Sequence, residues 1–280
     1  IKSYLPQNQP LYALTCFAIV PSLQSHKTHV RPPSAAHELF QQLVAALNLF
    51  QFFPHIEIFY NDKQTFTHTD IQKTNVVIFT GSSEVGLNIR KLFSPNTLFI
   101  LNGSGHNPVI ITETADLSLA VRNVLKVTLF NQGQDCSAPS SILVHRSVAD
   151  SFQKLLISQL QFVEKQVGPY SNKENIIGPN TKDKHVIYIA EFFRKNKQYC
   201  IYGGTINPIS QIIYPTVFCK PLDEGPMYDE YFAPVIMLQP YKDDHSLASY
   251  FSSERYKQNA MYVTVFGTTP YIETIKADRI

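Results

Sequence analysis

Cys136 is the residue whose type and surroundings point most directly to chemistry. It ends the segment Phe130–Cys136, FNQGQDC, which follows a stretch with helical spacing. Gly133, shortly before the cysteine, lets the backbone turn tightly and present the thiol. A nucleophilic cysteine needs solvent access and a lowered pKa, and the segment is compatible with that role. An isolated cysteine is more often a buried structural residue, so the segment alone leaves both interpretations open.

Gly81 and Ser82 form a second candidate site, where a strand over 75–80 ends and a helix opens near residue 83. Backbone N–H groups at a helix start can hold a pyrophosphate, assisted by the helix dipole. The same residues also fit an ordinary capped helix start, which is the favoured interpretation of this segment alone.

The composition excludes several classes of protein. Of the 280 residues, 44% are hydrophobic and 16% charged, as in a chain that buries a core in one large or two modest domains. A net charge of +2 gives no indication of a nucleic-acid partner. No apolar run reaches the roughly 20 residues that span a bilayer. No basic segment followed by an apolar stretch and a small-residue cleavage site occurs in this sequence, so we expect no secretory leader.

The four cysteines, residues 16, 136, 200 and 219, form no C-x-x-C pair. We therefore expect no metal site, no disulfide framework, and free thiols in a reducing, cytoplasmic compartment.

Strands alternate with helices along the chain, which predicts an α/β fold with a doubly wound sheet. Ser34 is a candidate N-cap for a helix over 35–50. Its predicted core-facing positions are Leu39, Leu43, Ala46, Leu47 and Phe50. The predicted strands are 27–31, 56–60, 75–80, 97–101, 108–111, 140–144 and 261–266, with two or three more between 199 and 240. The other predicted helices are a buried helix over 11–23, one opening at 83, then 116–130, 148–163 and 184–196, with a loop over 168–181.

Six segments in order resemble motifs of the aldehyde dehydrogenase superfamily. The cysteine segment is similar to F-x-N-x-G-Q-x-C, slightly compressed at its start. The others resemble the P-W-N-x-P turn, the cofactor-loop motif, E-L-G-G-K-x-P and two later motifs of the catalytic domain. In chain order these five segments are 6–10, 79–86, 101–108, 214–217 and 230–235.

This resemblance implies an NAD(P)-dependent oxidoreductase that acts on an aldehyde. Cys136 is the implied nucleophile, passing through a thiohemiacetal and a thioester. Asn8, with the backbone N–H of Cys136, is the implied oxyanion hole. Without the resemblance, Asn8 would be taken as a turn residue.

The resemblance also implies the cofactor-binding residues. Gly81 and Ser82 would hold the pyrophosphate, and Glu230 and Phe232 the nicotinamide ribose and ring. Arg31 stands where the family has a lysine that reaches the adenosine ribose. Ser34 stands where NAD-preferring members often have a glutamate. The missing carboxylate leaves room for a 2′-phosphate, so NAD and NADP both stay open.

Asn102 departs from the family pattern. Hydrolytic members have glutamate there as general base, and an amide cannot accept a proton at neutral pH. Two alternatives follow: a CoA-acylating enzyme, or a catalytically impaired homologue that acts as a binding or scaffold protein. His106 replaces a family lysine; it could act as a base, although a single loop histidine is more often a surface residue.

The resemblance implies two domains with the active site in a cleft between them. Residues 1–102 would form part of a Rossmann-like cofactor domain, residues 103–270 the catalytic domain, and residues 271–280 a truncated tail. We expect a truncated or divergent family member, forming homodimers or homotetramers in the full-length protein, without a membrane or nucleic-acid partner.

Overall fold

The computed structural model describes residues 1–180 and 183–272. The chain divides into two compact units, Ile1–Ser104 and Gly105–Ile280. Position 181, the end of the predicted loop, and residues 273–280, most of the predicted tail, lie outside the described residues.

The first unit contains a five-stranded sheet in the order β3-β2-β1-β4-β5, and every pairing in it is parallel. The order 3-2-1-4-5 is part of the strand order of a dinucleotide-binding sheet. The chain adds strands on one side of β1 first and then on the other side, so the order reverses between β1 and β4. The strands are β1 Lys2–Tyr4, β2 Thr28–Arg31, β3 Ile56–Ile58, β4 Val76–Thr80 and β5 Leu98–Asn102.

Helices pack on both faces of this sheet. Val30 of β2 belongs to one apolar cluster with Leu14, whereas Val77 and Phe79 of β4 belong to another with Ile89. These two clusters lie on opposite faces of the sheet, so the sheet is doubly wound. The helices are α1 Pro10–Leu14, α2 Val20–Ser22, α3 His37–Ala46, α4 Leu49–Phe52, α5 Lys63–His68 and α6 Ser83–Arg90.

The central strand β1 was not predicted, because two of its three residues are polar. Lys2 is nevertheless fully buried, and its Nζ donates to the backbone oxygens of Phe66, Thr67 and Thr69. It also lies 4.6 Å from the centroid of the Phe66 ring. Burial lowers the pKa of Lys2 to about 8. Long-range contacts of this kind leave no local trace in the sequence.

The helix predicted over 35–50 is real, but its boundaries and buried face were wrong. Residues Ser34–Ala36 form a 3₁₀ turn, and α3 and α4 are separated by Asn48 in a left-handed conformation (φ 46°). Ser34 caps neither helix. The buried side chains are Ala36, Phe40, Val44 and Leu49. Four of the predicted core positions are exposed, namely Leu39, Ala46, Leu47 and Phe50, and Leu43 is half-buried.

The helix predicted over 11–23 is formed by α1, a π-helical turn over Thr15–Ile19, and α2. It was expected to be a buried helix, but only one side of it is buried. Ala13, Leu14 and Ala18 face the core, but Leu23 is 69% exposed. A uniformly apolar stretch carries no periodic signal to separate its two faces.

The second unit contains a six-stranded sheet in the order β13-β6-β7-β12-β11-β8, parallel except for the β11–β8 pair. Strands β9 and β10, which lie between β8 and β11 in the chain, form a separate two-stranded antiparallel hairpin. The strands are β6 Pro108–Ile111, β7 Ser141–His145, β8 Cys200–Tyr202, β9 Ile206–Asn207, β10 Ile212–Ile213, β11 Thr216–Cys219, β12 Val235–Tyr241 and β13 Thr264–Phe266.

Alternate residues of the central strands face opposite helical layers. In β6, Val109 and Ile111 pack in a cluster with α7 and α8, whereas Ile110 packs with α10 and α11. The helices are α7 Leu117–Leu129, α8 Arg146–Val163, α9 Asp183–Lys195, α10 Asp244–Ser252 and α11 Glu254–Asn259. The predicted α/β fold class is thus confirmed in both units.

Two predictions for the second unit were incomplete. Five strands, β8 to β12, occupy the stretch in which two or three were predicted, because β9 and β10 have only two residues each. Helices α10 and α11 were not predicted, and neither was α5 in the first unit. Asp243 and Asp62 cap α10 and α5 with their carboxylates, and these caps were the available signal.

Candidate functional site

The backbone before Cys136 is unusually constrained. Helix α7 ends at Leu129, and the following turn places Asn131, Gln132 and Gly133 in the left-handed region (φ 47°, 59° and 73°). A Cβ on Gly133 would collide with the backbone oxygen of Ala233. Glycine is therefore required both by the conformation and by the close approach of a neighbouring chain segment. The tight turn predicted from Gly133 is present.

Asn107 holds the Cys136 peptide in place. Its Nδ2 donates to the backbone oxygens of Cys136 (2.7 Å) and Ala138 (3.1 Å). Its Oδ1 accepts from the backbone N–H of Tyr262 at 3.2 Å. The side chain is buried, so these bonds are made away from bulk water. Sequence reasoning missed this role, although Asn107 lies inside one of the matched motifs.

Cys136 itself is half-buried. Burial raises the pKa of its thiol, and the negative charges of Asp135 and Glu230 act in the same direction. The lowered pKa expected of a nucleophile is thus not found in this state. Asp135 accepts from the backbone N–H and the hydroxyl of Ser137, two positions further on, each at 2.9 Å.

Glu230 lies near Cys136 because Gly105 contacts both residues. The backbone N–H of Gly105 donates to Glu230 Oε1 at 3.2 Å, and a Cβ on Gly105 would collide with the backbone oxygen of Cys136. Burial raises the pKa of Glu230 to about 7, although the Gly105 bond opposes this shift. A carboxyl group that titrates near neutrality is able to give and take protons under physiological conditions.

Phe232 has a left-handed backbone (φ 49°) between the buried residues Tyr231 and Ala233. Its carbonyl oxygen accepts from His185 Nε2 at 2.8 Å. Because its neighbours are anchored in the core, Phe232 has a fixed backbone while its side chain remains partly exposed.

The candidate residues of the first unit all lie at or after the carboxyl ends of its parallel strands. We call this region the carboxyl edge; it comprises Asn8, Arg31, Ser34, Gly81, Ser82 and Asn102. Asn8 follows β1 and Gly81 follows β4, which are the two strands where the sheet order reverses. Nucleotides bind at this place in open parallel sheets.

Arg31 and Ser34 are in direct contact. The Arg31 guanidinium donates to Ser34 Oγ at 3.0 Å and to the backbone oxygen of Asn61 at 3.2 Å. The guanidinium is therefore held at the end of β2 beside a hydroxyl rather than a carboxylate.

Gly81 and Ser82 are exposed at the start of α6. Ser82 is the N-cap residue, yet its side chain makes no capping hydrogen bond. The Gly81 N–H donates to the backbone oxygen of Asn102 at 3.1 Å, and Ser83 Oγ accepts from the Ser104 N–H at 3.2 Å. These bonds fix the loop and leave the capping position at Ser82 open to an anion.

Asn102 is positioned by β4. Its Nδ2 donates to Thr80 Oγ1 at 3.2 Å, across the β4–β5 pairing. The amide nitrogen thus has a structural partner, and the residue offers no group that could act as a base.

His106 is not the surface residue that a loop histidine usually is. It is 1% exposed, its Nε2 contacts Tyr250 Oη, and its ring lies among Tyr228, Tyr250 and Tyr256. Burial lowers the pKa of His106 to about 4, and Arg255 contributes to the shift. The ring is therefore neutral at physiological pH.

Neither a membrane-spanning helix nor a metal-binding cluster is present among residues 1–180 and 183–272. No helix there is long and apolar enough to cross a membrane. Within the same residues, no three or more His, Cys, Asp and Glu side chains cluster as a metal site would require.

Comparison with known proteins gives a family match over residues 62–265, described as the aldehyde dehydrogenase family. A 4,4′-diapolycopene-4,4′-dial dehydrogenase of Cytobacillus firmus is 29% identical over 74% of this chain and 44% of its own length. A probable betaine aldehyde dehydrogenase of Schizosaccharomyces pombe is 29% identical over 71% and 40%. The chain thus spans less than half the length of these relatives.

Solved structures share the fold. A succinate-semialdehyde dehydrogenase of Burkholderia pseudomallei superposes with a TM-score of 0.83 at 18% identity, covering 99% of this chain and 58% of that one. A glyceraldehyde-3-phosphate dehydrogenase of Methanocaldococcus jannaschii, solved with NADP, gives 0.82 at 21% identity, covering 99% and 61%. With a family match across most of its length and this shared fold, the chain belongs to the aldehyde dehydrogenase family.

Proposed function

We propose that this protein oxidises an aldehyde with NAD or NADP, using Cys136 as the nucleophile. The observation that carries the proposal is the Cys136 loop, residues 130–136, which follows α7. Its three left-handed residues and the hydrogen bond from Asn107 to the Cys136 carbonyl, which we call the Asn107 clamp, fix a half-buried thiol. A structural cysteine would not need so constrained a backbone, whereas a nucleophile must be held in one orientation toward its substrate.

The sulfur of Cys136 adds to the aldehyde carbon, so that a C–S bond forms and the carbonyl π electrons move to oxygen. The backbone N–H of Cys136 would donate a hydrogen bond to the developing oxyanion. When bound, the nicotinamide cofactor accepts the hydride that leaves this carbon. The product on Cys136 is a thioester, which is then transferred to water or to another acceptor.

The carboxyl edge has the features that a dinucleotide requires. The start of α6 is exposed, and the Ser82 hydroxyl is not used as a cap, so Gly81 and Ser82 would hold the pyrophosphate. Glu84 in the first turn of α6 weakens the attraction for anions without blocking the backbone N–H groups. Arg31 and Ser34 would receive the adenosine ribose, and Glu230 and Phe232 the nicotinamide end.

The test is a dehydrogenase assay on the purified protein with NAD or NADP and a panel of aldehydes. Cys136→Ala should abolish turnover, whereas the matched variant Cys16→Ala, in the π-helical turn of the first unit, should keep it. Equal rates in parent and Cys136→Ala would contradict the proposal. Absence of turnover with every aldehyde, in a folded parent, would instead favour a homologue that serves as a binding or scaffold protein.

A CoA-acylating reaction is the second candidate, and the amide at Asn102, held by Thr80, favours it. An amide in that position cannot activate water. This route predicts that aldehyde oxidation depends on added CoA and yields an acyl-CoA. A CoA-independent rate that releases free acid would argue against it.

We further propose a homo-oligomer in a reducing compartment such as the cytoplasm. Its four cysteines are free thiols in the structure, which supports the compartment. The oligomer rests on family membership and is tested by light scattering of the purified protein, for which a monomer at micromolar concentration is the contrary result.

A further inference from the structure

We propose that Glu230 is the general base of this site, activating the water that releases the acyl group from Cys136. This inference rests on the proposed thioester on Cys136 and deepens it. It assigns to a residue of the second unit the proton transfer that Asn102 cannot perform.

Glu230 and the Cys136 backbone both lie against Gly105. Gly105 donates its N–H to Glu230 Oε1 at 3.2 Å, and its Cα lies against the backbone oxygen of Cys136, where a side chain would not fit. The Cys136 carbonyl is in turn fixed by Asn107 at 2.7 Å. One carboxylate oxygen is thus oriented by a backbone donor, while the other oxygen remains available for a proton.

The charges around Glu230 fit a group that changes protonation during a reaction. Its ionised form raises the pKa of the Cys136 thiol and of Tyr188. Asp135 and Asp229 act on these two groups in the same sense. Burial disfavours the charged form of Glu230 and raises its pKa to about 7, so the carboxyl group binds a proton more readily than a solvated glutamate does.

In the proposed step, the Glu230 carboxylate takes one proton from a water molecule as the water oxygen attacks the thioester carbon. A C–O bond forms, the C–S bond breaks, and the electron pair of that bond returns to the Cys136 sulfur. Glu230 then returns its proton, by way of solvent, to the Cys136 thiolate, whose raised pKa favours the thiol, so that a carboxylic acid and the free thiol remain. No oxidant or reductant takes part in this step.

An ester substrate isolates this step because it acylates Cys136 without any nucleotide. With p-nitrophenyl acetate, the parent should give a burst of p-nitrophenol from acylation, followed by slower steady turnover from deacylation. The steady rate should rise with pH and level off above about 7, as Glu230 ionises. Glu230→Gln should keep the burst, lower the steady rate by about 10²-fold, and lose this inflection.

Two matched variants distinguish the loss of a general base from a general loss of structure. Asp229→Asn, which neutralises the neighbouring carboxylate, should leave burst and steady rate within about twofold of the parent. Glu230→Asp should lower the steady rate but keep the inflection, because it retains a titratable group. If Glu230→Gln does not fold, the Glu230→Asp profile carries the test, and a profile without an inflection then overturns the proposal.

The outcomes distinguish the two proposals. If the parent shows no burst, or if Cys136→Ala still shows one, the nucleophile itself is wrong and the proposed function fails. If the burst depends on Cys136 but the steady rate and its pH profile are the same in parent and Glu230→Gln, only the assignment of Glu230 is overturned.

Discussion

The Cys136 loop and the carboxyl edge meet their functional demands in opposite ways. The loop is held by buried bonds and by backbone conformations that few residues tolerate, including Gly133 against Ala233 and Asn107 on the Cys136 carbonyl. The edge is exposed at Gly81 and Ser82, and its geometry comes from the strand order and a few hydrogen bonds at the strand ends. Substitutions in the loop should therefore affect stability and chemistry together, whereas substitutions at the edge should change ligand preference only.

Gly133→Ala should have the largest effect on stability. A methyl group must enter the space of the Ala233 backbone oxygen at a left-handed position, which costs about 4 kcal/mol for the clash and the conformation together. Urea unfolding should show this loss, and the same variant should lose aldehyde oxidation. Gly225→Ala, at a positive-φ glycine whose Cβ would approach no closer than 3.5 Å to Lys220 Nζ, is the control for backbone strain without a clash and should cost about 2 kcal/mol. Similar losses in both variants would show that the loop has no special constraint.

Acidification should have the next largest effect, through His106. Its pKa is about 4 when folded against 6.5 when unfolded, so the unfolded chain binds the extra proton first as pH falls. Stability is therefore unaffected above about 6.5 and is lost between 6.5 and 4, by about 3 kcal/mol in total. The groups facing the ring are Arg255, which disfavours its charge, and three neutral tyrosines.

The His106 contribution is measured as a difference, because Glu230 titrates in the same range with the opposite sign. His106→Phe keeps an aromatic ring in the tyrosine cluster and cannot take up a proton. The unfolding free energy of the parent should fall relative to this variant as pH drops from 6.5 to 4. If the unfolding free energies of parent and variant change in parallel with pH, the pKa of His106 is not lowered in the folded protein.

Asn107→Ala should have a smaller effect on stability but a clear one on the thiol. Two carbonyl oxygens, those of Cys136 and Ala138, lose their donor, at a cost of about 2 kcal/mol. The Cys136 peptide should then become mobile, and its reaction with an aldehyde should slow more than its alkylation by a small reagent. Asn123→Ala is the control, because it removes an exposed hydrogen bond from the Asn123 side-chain amide to the Leu119 carbonyl within α7. Unchanged aldehyde kinetics in Asn107→Ala would show that the clamp does not position the nucleophile.

The same contrast explains how much the sequence could reveal. Strands such as β4 and β6 were predicted because their apolar runs are local, and the motif around Cys136 was found because it is contiguous. Strand β1 was missed because buried Lys2 finds its partners more than 60 positions away. The role of Asn107 was missed for a similar reason: its partners Cys136 and Tyr262 come together only through the sheet. The α3 face was wrong because a 3₁₀ turn at Ser34–Ala36 shifted the helical register.

Ser34→Glu should have the smallest effect on stability and act only on the choice of nucleotide. Ser34 is exposed, and its hydroxyl accepts from Arg31 at 3.0 Å, so a carboxylate there pairs with the guanidinium at a surface site worth at most about 1 kcal/mol. The same carboxylate repels a 2′-phosphate and can accept from a ribose hydroxyl. The ratio of kcat/KM for NADP to that for NAD should therefore fall by about 10-fold or more. Ser34→Gln, of similar size and without charge, separates repulsion from crowding, and an equal change in both variants would assign the effect to size. A ratio that does not move in either variant would show that the end of β2 does not receive the adenosine ribose, and that the carboxyl edge binds its ligand by the Gly81–Ser82 turn alone.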